Sequence, residues 1–248
     1  MKKLFLNITI FFAIWQVANW LDFFPNNLPS ILSVAKAFLN LTELTEMTIA
    51  MLVTLKYVIL SLLLGVSVGY SLGVFLGVTP SVRGFFYGYL NGIKAIPVTI
   101  LLPLFLAFFG FHNFPIPIMS VPIMAIIAVN IAEACDKINS NRQSLAKLLE
   151  ISKFKYWLHI LRWETLDILF ASLRIVITYA LALQIAFEYF LNHLKGIGCY
   201  ISVVYSGSAD NRLGNMYAAI LLIAFVGIGS IKILDIISQK QLKWKTQI

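Results

Sequence analysis

The chain has 248 residues, of which 60% are hydrophobic and only 12% are charged, and its formal net charge is +8. A soluble domain usually has about a quarter of its residues charged, so this composition excludes an ordinary water-soluble fold. The basic residues are spread over predicted loops and are not gathered on one face, so the positive charge does not indicate nucleic-acid binding.

Long apolar runs predict membrane-spanning helices. A run such as Tyr57 to Val78 is long enough to cross a hydrocarbon core of roughly 30 Å at about 1.5 Å per residue. The first apolar run follows Met1-Lys2-Lys3 and has no small-residue cleavage site after it, so we expect a retained span and not a signal peptide. The predicted spans are 4–22, 49–78, 85–110, 116–136, 166–190 and 216–236.

The distribution of lysine and arginine predicts the orientation. With the N-terminus inside, the predicted cytoplasmic segments carry many more basic residues than the external segments, as the positive-inside rule requires. Both termini are therefore expected in the cytoplasm, for a multi-pass protein of the cytoplasmic membrane. Cys135 and Cys199 would lie on opposite sides, so we expect no disulfide.

The predicted organisation is an all-α, polytopic membrane helix bundle with three parts. Residues 1–48 hold the first span and an external segment, in which 31–41 is amphipathic and expected on the membrane surface. Residues 49–238 form a core of five further spans, and 239–248 form a basic cytoplasmic tail. Residues 191–215 are a second external segment.

Four glycines recur at a spacing of four in the second span. This spacing places them on one helix face, where small residues let a second helix backbone approach closely. We interpret the row as a helix-packing surface and not as a chemical site. Its members are Gly65, Gly69, Gly73 and Gly77.

The third span contains two prolines and a lysine. Proline removes a backbone hydrogen bond, and a membrane tolerates such a break where protein or a water-filled cavity meets the freed carbonyl. Lys94 lies three residues before the first proline, so it either extends to the cytoplasmic surface or faces a solute pathway. Pairing of Lys94 or Arg174 with Glu133 or Asp136 is left open. The pathway or gate candidates are Lys94, Pro97, Pro103 and Arg174.

The segment 137–165, between the fourth and fifth spans, is basic. Its apolar residues recur at helical spacing from Ser144 to Leu161, which predicts one amphipathic helix with Ser144 as its N-cap. One interpretation is a helix held to anionic lipid headgroups. The other is a coupling helix that docks into a cytoplasmic partner.

No pattern in the chain indicates catalysis. There is no Gly-x-x-x-x-Gly-Lys-Ser/Thr phosphate loop and no nucleophile–base pattern, and the histidines do not have metal-ligand spacing. We therefore expect no catalytic residue, no cofactor-binding residue and no metal site in this chain, which is not predicted to be an enzyme.

Short motifs follow one another in a particular order. They are Leu28-Pro29-Ser30, the four-spaced glycines, Lys94-Ala95-Ile96-Pro97-Val98 through Leu102-Pro103-Leu104, Phe109-Gly110, Asn130, Ala171-Ser172-Leu173-Arg174-Ile175 and Gly196-Ile197-Gly198-Cys199-Tyr200-Ile201. This order, from about Leu28 to Ser238, resembles the permease subunits of ABC importers. Within the binding-protein-dependent family it is most similar to the sulfonate, nitrate and taurine type.

The stretch 143–175 resembles the cytoplasmic loop of that family, which is named for a Glu-Ala-Ala…Gly signature. Here Ser144-Leu145-Ala146 stands at Glu-Ala-Ala, and Glu150 stands at the glycine. Glycine permits an unusual backbone turn that glutamate adopts less readily. Further departures are Ala95 and Val98 at two proline positions, Tyr57 at a frequent arginine, and Arg162-Trp163 at the usual Leu-Pro.

The resemblance implies a transport subunit of the bacterial inner membrane. Two permease chains, identical or different, would form the pathway, and a cytoplasmic ATPase dimer would hold the ATP and grip loop 137–165. An external solute-binding protein would deliver a small anion such as nitrate, a sulfonate such as taurine, or bicarbonate. The implied ATPase-docking residues are Ser144, Leu145, Leu148, Leu149, Glu150, Phe154 and Trp157.

Three alternatives remain open at this point. The chain could be a membrane scaffold that binds lipid or assembles proteins without moving solute. It could be a secondary transporter driven by an ion gradient, although few ionisable residues lie near the centres of its spans. The departures from the signature also fit a specialised half of a heterodimeric permease.

Overall fold

The computed structural model describes residues 2–21, 23, 27–136, 148–156, 161–192, 194–207 and 211–242, and these residues form helices and connecting turns without any strand. The prediction of an all-α polytopic membrane fold is confirmed. The helices are α1 (Lys2–Trp20), α2 (Ile31–Leu39), α3 (Leu41–Val78), α4 (Pro80–Ala95), α5 (Leu102–Asn113), α6 (Pro115–Asp136), α7 (Lys153–Tyr156), α8 (Arg162–Glu164), α9 (Leu166–Leu191), α10 (Ile197–Ser206) and α11 (Arg212–Gln241).

Four of these helices, α3, α6, α9 and α11, are long and apolar enough to cross a membrane. The pair formed by α4 and Val98–Asn113 also qualifies, but it is bent by 92° and counts as a fifth span only if it is taken as one. By length and composition, the described residues therefore hold four or five apolar membrane-spanning helices, which is consistent with the predicted bundle of about six. The predicted first span forms the 19-residue helix α1.

Helix α3 is longer than predicted, because it begins at Leu41 and not near residue 49. The prediction started only where the sequence becomes continuously apolar, after Glu43 and Glu46. Asn40 ends α2, where its backbone N–H donates to the Lys36 carbonyl at 3.0 Å, and it starts α3, where its Oδ1 accepts from the Thr42 amide at 3.1 Å. The polar first turns of α3 therefore extend the helix past its apolar run.

The first of two compact units comprises Met1–Leu55 and Ile185–Gly227. In this unit the polar residues of α1 hold the segment that leads into α2. Trp15 Nε1 donates to the Pro29 carbonyl at 2.8 Å, and Asn19 Nδ2 donates to the Leu28 carbonyl at 2.7 Å. Ser30 then caps the predicted amphipathic helix, accepting from the Ser33 amide at 3.2 Å.

The second unit comprises Lys56–Gln184 and Ile228–Ile248, and α6 supplies much of its core. Large side chains of α6, including Ile123, Ile127 and Ile131, are fully buried. Small residues alternate with them, so that Ala128 and Ala132 pack with Leu76 and Leu90 in one apolar cluster. This alternation lets neighbouring helices lie close to α6.

Candidate functional site

The four-spaced glycines of α3 all face α6. A Cβ placed on Gly73 would lie 2.7 Å from the Ala128 carbonyl oxygen, and one on Gly69 would lie 2.7 Å from the Met124 carbonyl oxygen. Both distances are far shorter than van der Waals contact. Gly65 and Gly77 are equally close to Ile123 and Cys135, at 2.7 and 2.6 Å. The row therefore lets two membrane helices meet backbone to backbone.

The second glycine row in the chain, which the sequence analysis missed, has the opposite environment. Gly84, Gly88 and Gly92 stand at the same spacing on α4, and a Cβ at any of them would meet no described atom within 4 Å. All three are exposed. The sequence signal is as clear as that of the first row, but only the structure shows that this row is open.

The predicted break in the third span lies at Pro97. Helix α4 ends at Ala95, Pro97 begins a single 3₁₀ turn, and the chain bends by 92° before α5. Lys94 is exposed in the last turn of α4, and Pro97 is exposed beside it. Pro103 does not kink a helix as expected, because it lies in the first turn of α5, where proline is tolerated.

The end of the predicted third span is also set by one residue. Gly110 has φ +68° and ψ 171°, a conformation outside the helical region, and it interrupts α5 at the position where the predicted span ends. Glycine reaches this backbone conformation without the clash that a Cβ would cause.

Polar side chains of α6 and α9 line a cavity of about 210 Å³ in the second unit. Asn130 Nδ2 donates to Ser172 Oγ at 2.9 Å, and both residues line the cavity together with Glu133. The Glu133 carboxylate also accepts a hydrogen bond from the Tyr87 hydroxyl. Tyr87 was not identified from the sequence, because nothing in its neighbours along the chain indicates a carboxylate partner.

Arg174 pairs with Asp235 of α11 and not with Glu133 or Asp136, the partners that the sequence left open. Its Nε and Nη2 each lie 2.7 Å from Asp235 Oδ1, and both side chains are 41% exposed. The ion pair is therefore accessible and holds α9 and α11 together within this unit. Asp235 carried no sequence signal as a partner, since the two residues are 61 positions apart.

A buried carboxyl group organises the start of α10 in the first unit. Glu188 Oε2 accepts hydrogen bonds from the Thr54 hydroxyl at 2.7 Å and from the Gly198 amide at 3.1 Å, and both Thr54 and Glu188 are fully buried. The Ile197 amide donates to Thr54 Oγ1 at 2.9 Å. A Cβ on Gly196 would overlap the Glu188 carboxyl. The Gly-Ile-Gly motif therefore leaves room for the buried Glu188 carboxyl group at Gly196 and supplies the Gly198 amide that donates to it.

The predicted docking segment is only partly within the described residues. Ser144, Leu145 and Trp157 lie outside them, and Phe154 lies in α7, which is four residues long. Leu148 and Leu149 are 80% and 63% exposed. The predicted uninterrupted helix from Ser144 to Leu161 is wrong, because the chain turns at residues 149–152 before α7 begins.

The turn is centred on Glu150, which has φ +49°. This left-handed conformation costs a residue with a Cβ about 1–2 kcal/mol, and glycine adopts it freely. Glu150 therefore keeps the backbone shape for which glycine is suited. Ser152 caps the short helix that follows, accepting from the Lys155 amide at 3.4 Å, whereas the predicted cap Ser144 lies outside the described residues.

These features define a multi-pass helical membrane protein with a bent span and close helix packing. Residues 65–243 match the family described as the binding-protein-dependent transport system inner membrane component. The chain belongs to this family, and it is a permease subunit of a binding-protein-dependent ABC transporter.

Curated relatives point to the same class. The chain is 29% identical over 119 residues to the bicarbonate transport system permease protein CmpB of Synechococcus elongatus, a match that covers 47% of this chain and 42% of the relative. It is 31% identical over 102 residues to the nitrate import permease protein NrtB of the same organism, covering 41% and 36%. The matched stretch spans less than half of each relative.

Proposed function

We propose that this permease subunit forms a solute pathway with a second permease chain and that a cytoplasmic ATPase grips its 137–165 loop. The observation that carries the docking proposal is the exposed pair Leu148 and Leu149 directly before the left-handed Glu150. Two adjacent exposed leucines at a sharp turn in a basic segment form a small protruding apolar surface. Such a surface fits an apolar pocket on a soluble partner.

The docking proposal is tested by co-purification with the ATPase. Leu148→Glu combined with Leu149→Glu should abolish recovery of the ATPase and ATP-dependent uptake, because charged side chains cannot enter an apolar pocket. Lys155→Glu is a matched control, since it changes the net charge of the same segment by the same two units but leaves the leucines in place. Normal assembly of the double variant would refute docking through this turn.

The open glycine row on α4 supports the second permease chain. The α3 row shows what such a row does in this protein, because it brings a second helix into backbone contact, and the α4 row has no described partner. We expect a helix of the second permease chain to occupy it. Gly88→Leu should weaken crosslinking between permease chains in membranes, and Gly229→Leu, at another open glycine, should not. Equal crosslinking in both variants would refute this placement.

The solute pathway is proposed to pass the break between α4 and α5. A helix break is tolerated in a membrane where it lines a cavity, and Lys94 stands exposed beside it. The similarity to bicarbonate and nitrate permeases supports a small anion as the solute, with a sulfonate such as taurine as a further candidate. Lys94→Gln should reduce uptake in reconstituted vesicles, whereas Lys56→Gln on α3 should not. Unchanged uptake by the Lys94 variant would place the pathway elsewhere.

An external solute-binding protein is proposed to deliver the solute to segments 23–48 and 191–215, with both chain termini in the cytoplasm. The positive-inside distribution of basic residues supports this orientation. Cysteine labelling from each side of the membrane tests it. A cysteine introduced at Lys36 should react with an impermeant reagent added outside, and one introduced at Lys240 should not. The reverse pattern would overturn the orientation.

A further inference from the structure

A polar cavity of about 480 Å³ lies in the first unit, at the junction of α2 and α3 and the start of α11. Its α2 and α3 residues precede residue 65, where the family match begins, so the match assigns them no role. A cavity of this size falls within the range of sites that bind small molecules, about 300–1,000 Å³. The polar residues that line it are Ser33, Lys36, Asn40, Glu43, Asn211 and Asn215.

Two asparagines form the inner wall of the cavity. Asn211 Nδ2 donates to the Ser33 carbonyl at 3.0 Å and to Asn215 Oδ1 at 3.2 Å, which fixes the orientation of both amides. Asn215 is only 5% exposed, and its own amide nitrogen donates to no described residue. An amide nitrogen without a protein acceptor is a donor that an acceptor on a ligand can use.

Two more donors face the same space from the outer wall. Within the described part of the chain, the Lys36 ammonium makes neither a salt bridge nor a hydrogen bond, although Lys36 lines the cavity. Asn40 uses its oxygen to accept from the Thr42 amide, which leaves its amide nitrogen as a donor. One cation and two amide donors together match an anionic acid group.

The remaining wall carries the opposite charge. Glu43 Oε2 accepts from the Tyr200 hydroxyl at 2.6 Å, and its Oε1 accepts from no described residue. Burial, followed by the hydrogen bond to Glu43, raises the pKa of Tyr200, so the phenol keeps its proton and remains the donor. Glu43 is therefore held in place with one free oxygen, which repels a second anion and can accept from an amine or a hydroxyl.

We propose that this cavity binds a small organic acid that also carries an amine or a hydroxyl, with its acid group at Lys36, Asn40 and Asn215 and its donor group at Glu43. Nitrate has no hydrogen to donate, so it would leave Glu43 Oε1 without a donor and would be repelled by the carboxylate. A ligand of more than a few heavy atoms also fills the cavity better. The inference rests on the proposed function only in taking this ligand to be the transported solute.

The test compares matched ligands on the purified full-length chain in lipid nanodiscs by isothermal titration calorimetry. The pairs are taurine against ethanesulfonate and β-alanine against propionate, with nitrate as the simple anion. In at least one pair, the amine-bearing member should bind about tenfold tighter than its partner and than nitrate. Equal binding within both pairs, or no binding of any of the five, would overturn the proposal.

Variants assign the preference to named residues. Glu43→Gln should remove most of the preference within a pair, and Lys36→Met should weaken both members about tenfold, with recovery in Lys36→Arg. Glu46→Gln, an exposed residue on the same helix outside the cavity, should change nothing. Thermal melts of every variant check folding. A preference unchanged in a folded Glu43→Gln protein would overturn the assignment.

A separate measurement distinguishes this inference from the proposed function. Stimulation of the ATPase by the binding protein in reconstituted vesicles reports transport coupling, and it does not depend on binding to the isolated chain. Loss of coupling with an intact ligand preference would refute the proposed function alone. Intact coupling without a ligand preference would refute the cavity inference alone.

Discussion

Removing the Glu188 carboxyl group should destabilise the first unit strongly. In Glu188→Ala, the Gly198 amide loses its acceptor in a buried site, and the Thr54 hydroxyl keeps only its longer hydrogen bond to the Ala50 carbonyl, at 3.2 Å. A buried group left without a partner costs about 1–3 kcal/mol, so we expect the free energy of unfolding to fall by at least about 1–3 kcal/mol. Glu188→Gln keeps an acceptor oxygen at the same place and should lose less than half of that.

Denaturant unfolding in mixed micelles, followed by circular dichroism, measures these differences. Glu46→Ala is the control, because Glu46 is exposed and its removal should change the free energy of unfolding by no more than about 0.5 kcal/mol. Gly196→Ala should also destabilise, since the added Cβ overlaps the Glu188 carboxyl. The reasoning fails if Glu188→Ala is as stable as the wild type, or if Gln at this position is as damaging as Ala.

Three further changes probe the second unit and the turn at Glu150. Gly73→Leu should destabilise the protein by at least about 1–3 kcal/mol in the same unfolding assay, because a Cβ at this position lies 2.7 Å from the Ala128 carbonyl oxygen. Gly88→Leu, on the open row of α4, should not destabilise it. Equal effects of the two substitutions would contradict the packing described for α3. Glu150→Gly should keep the turn and increase the amount of ATPase that co-purifies, since it removes about 1–2 kcal/mol of backbone strain. A smaller amount of co-purified ATPase would show that the Glu150 side chain itself contacts the partner. Asp235→Asn should lower the free energy of unfolding by no more than about 1 kcal/mol, because the ion pair with Arg174 is partly exposed. A double-mutant cycle with Arg174→Gln measures the coupling energy between the two residues, and a coupling energy above this value would contradict the prediction.

The features predicted well from sequence are those whose cause lies in the local chain. The break at Pro97 follows from a missing amide hydrogen, and the amphipathic helix α2 follows from the spacing of its apolar residues. The α3 glycine row was likewise visible, because spacing alone places its members on one face. Local geometry determines each of these, so no knowledge of distant residues was needed.

The features that sequence did not predict are pairings between distant positions. Arg174 had two acidic candidates within the preceding spans, and its partner is Asp235 of the last helix. Glu188 and Thr54 are separated by 134 residues, and neither indicates the other along the chain.

Glu150 shows that a residue with a Cβ can hold a backbone shape for which glycine is suited. The helical spacing of apolar residues predicted one helix from Ser144 to Leu161, and glutamate at the glycine position was expected to adopt an unusual turn less readily. The structure keeps the left-handed turn with glutamate in place, and it begins a new helix at Lys153. A cost of about 1–2 kcal/mol is small compared with the interactions that a docked loop can make, so backbone shape can be retained at a position where the residue type has changed. The exposed leucines before this turn are therefore presented in a way that the sequence motif alone does not reveal.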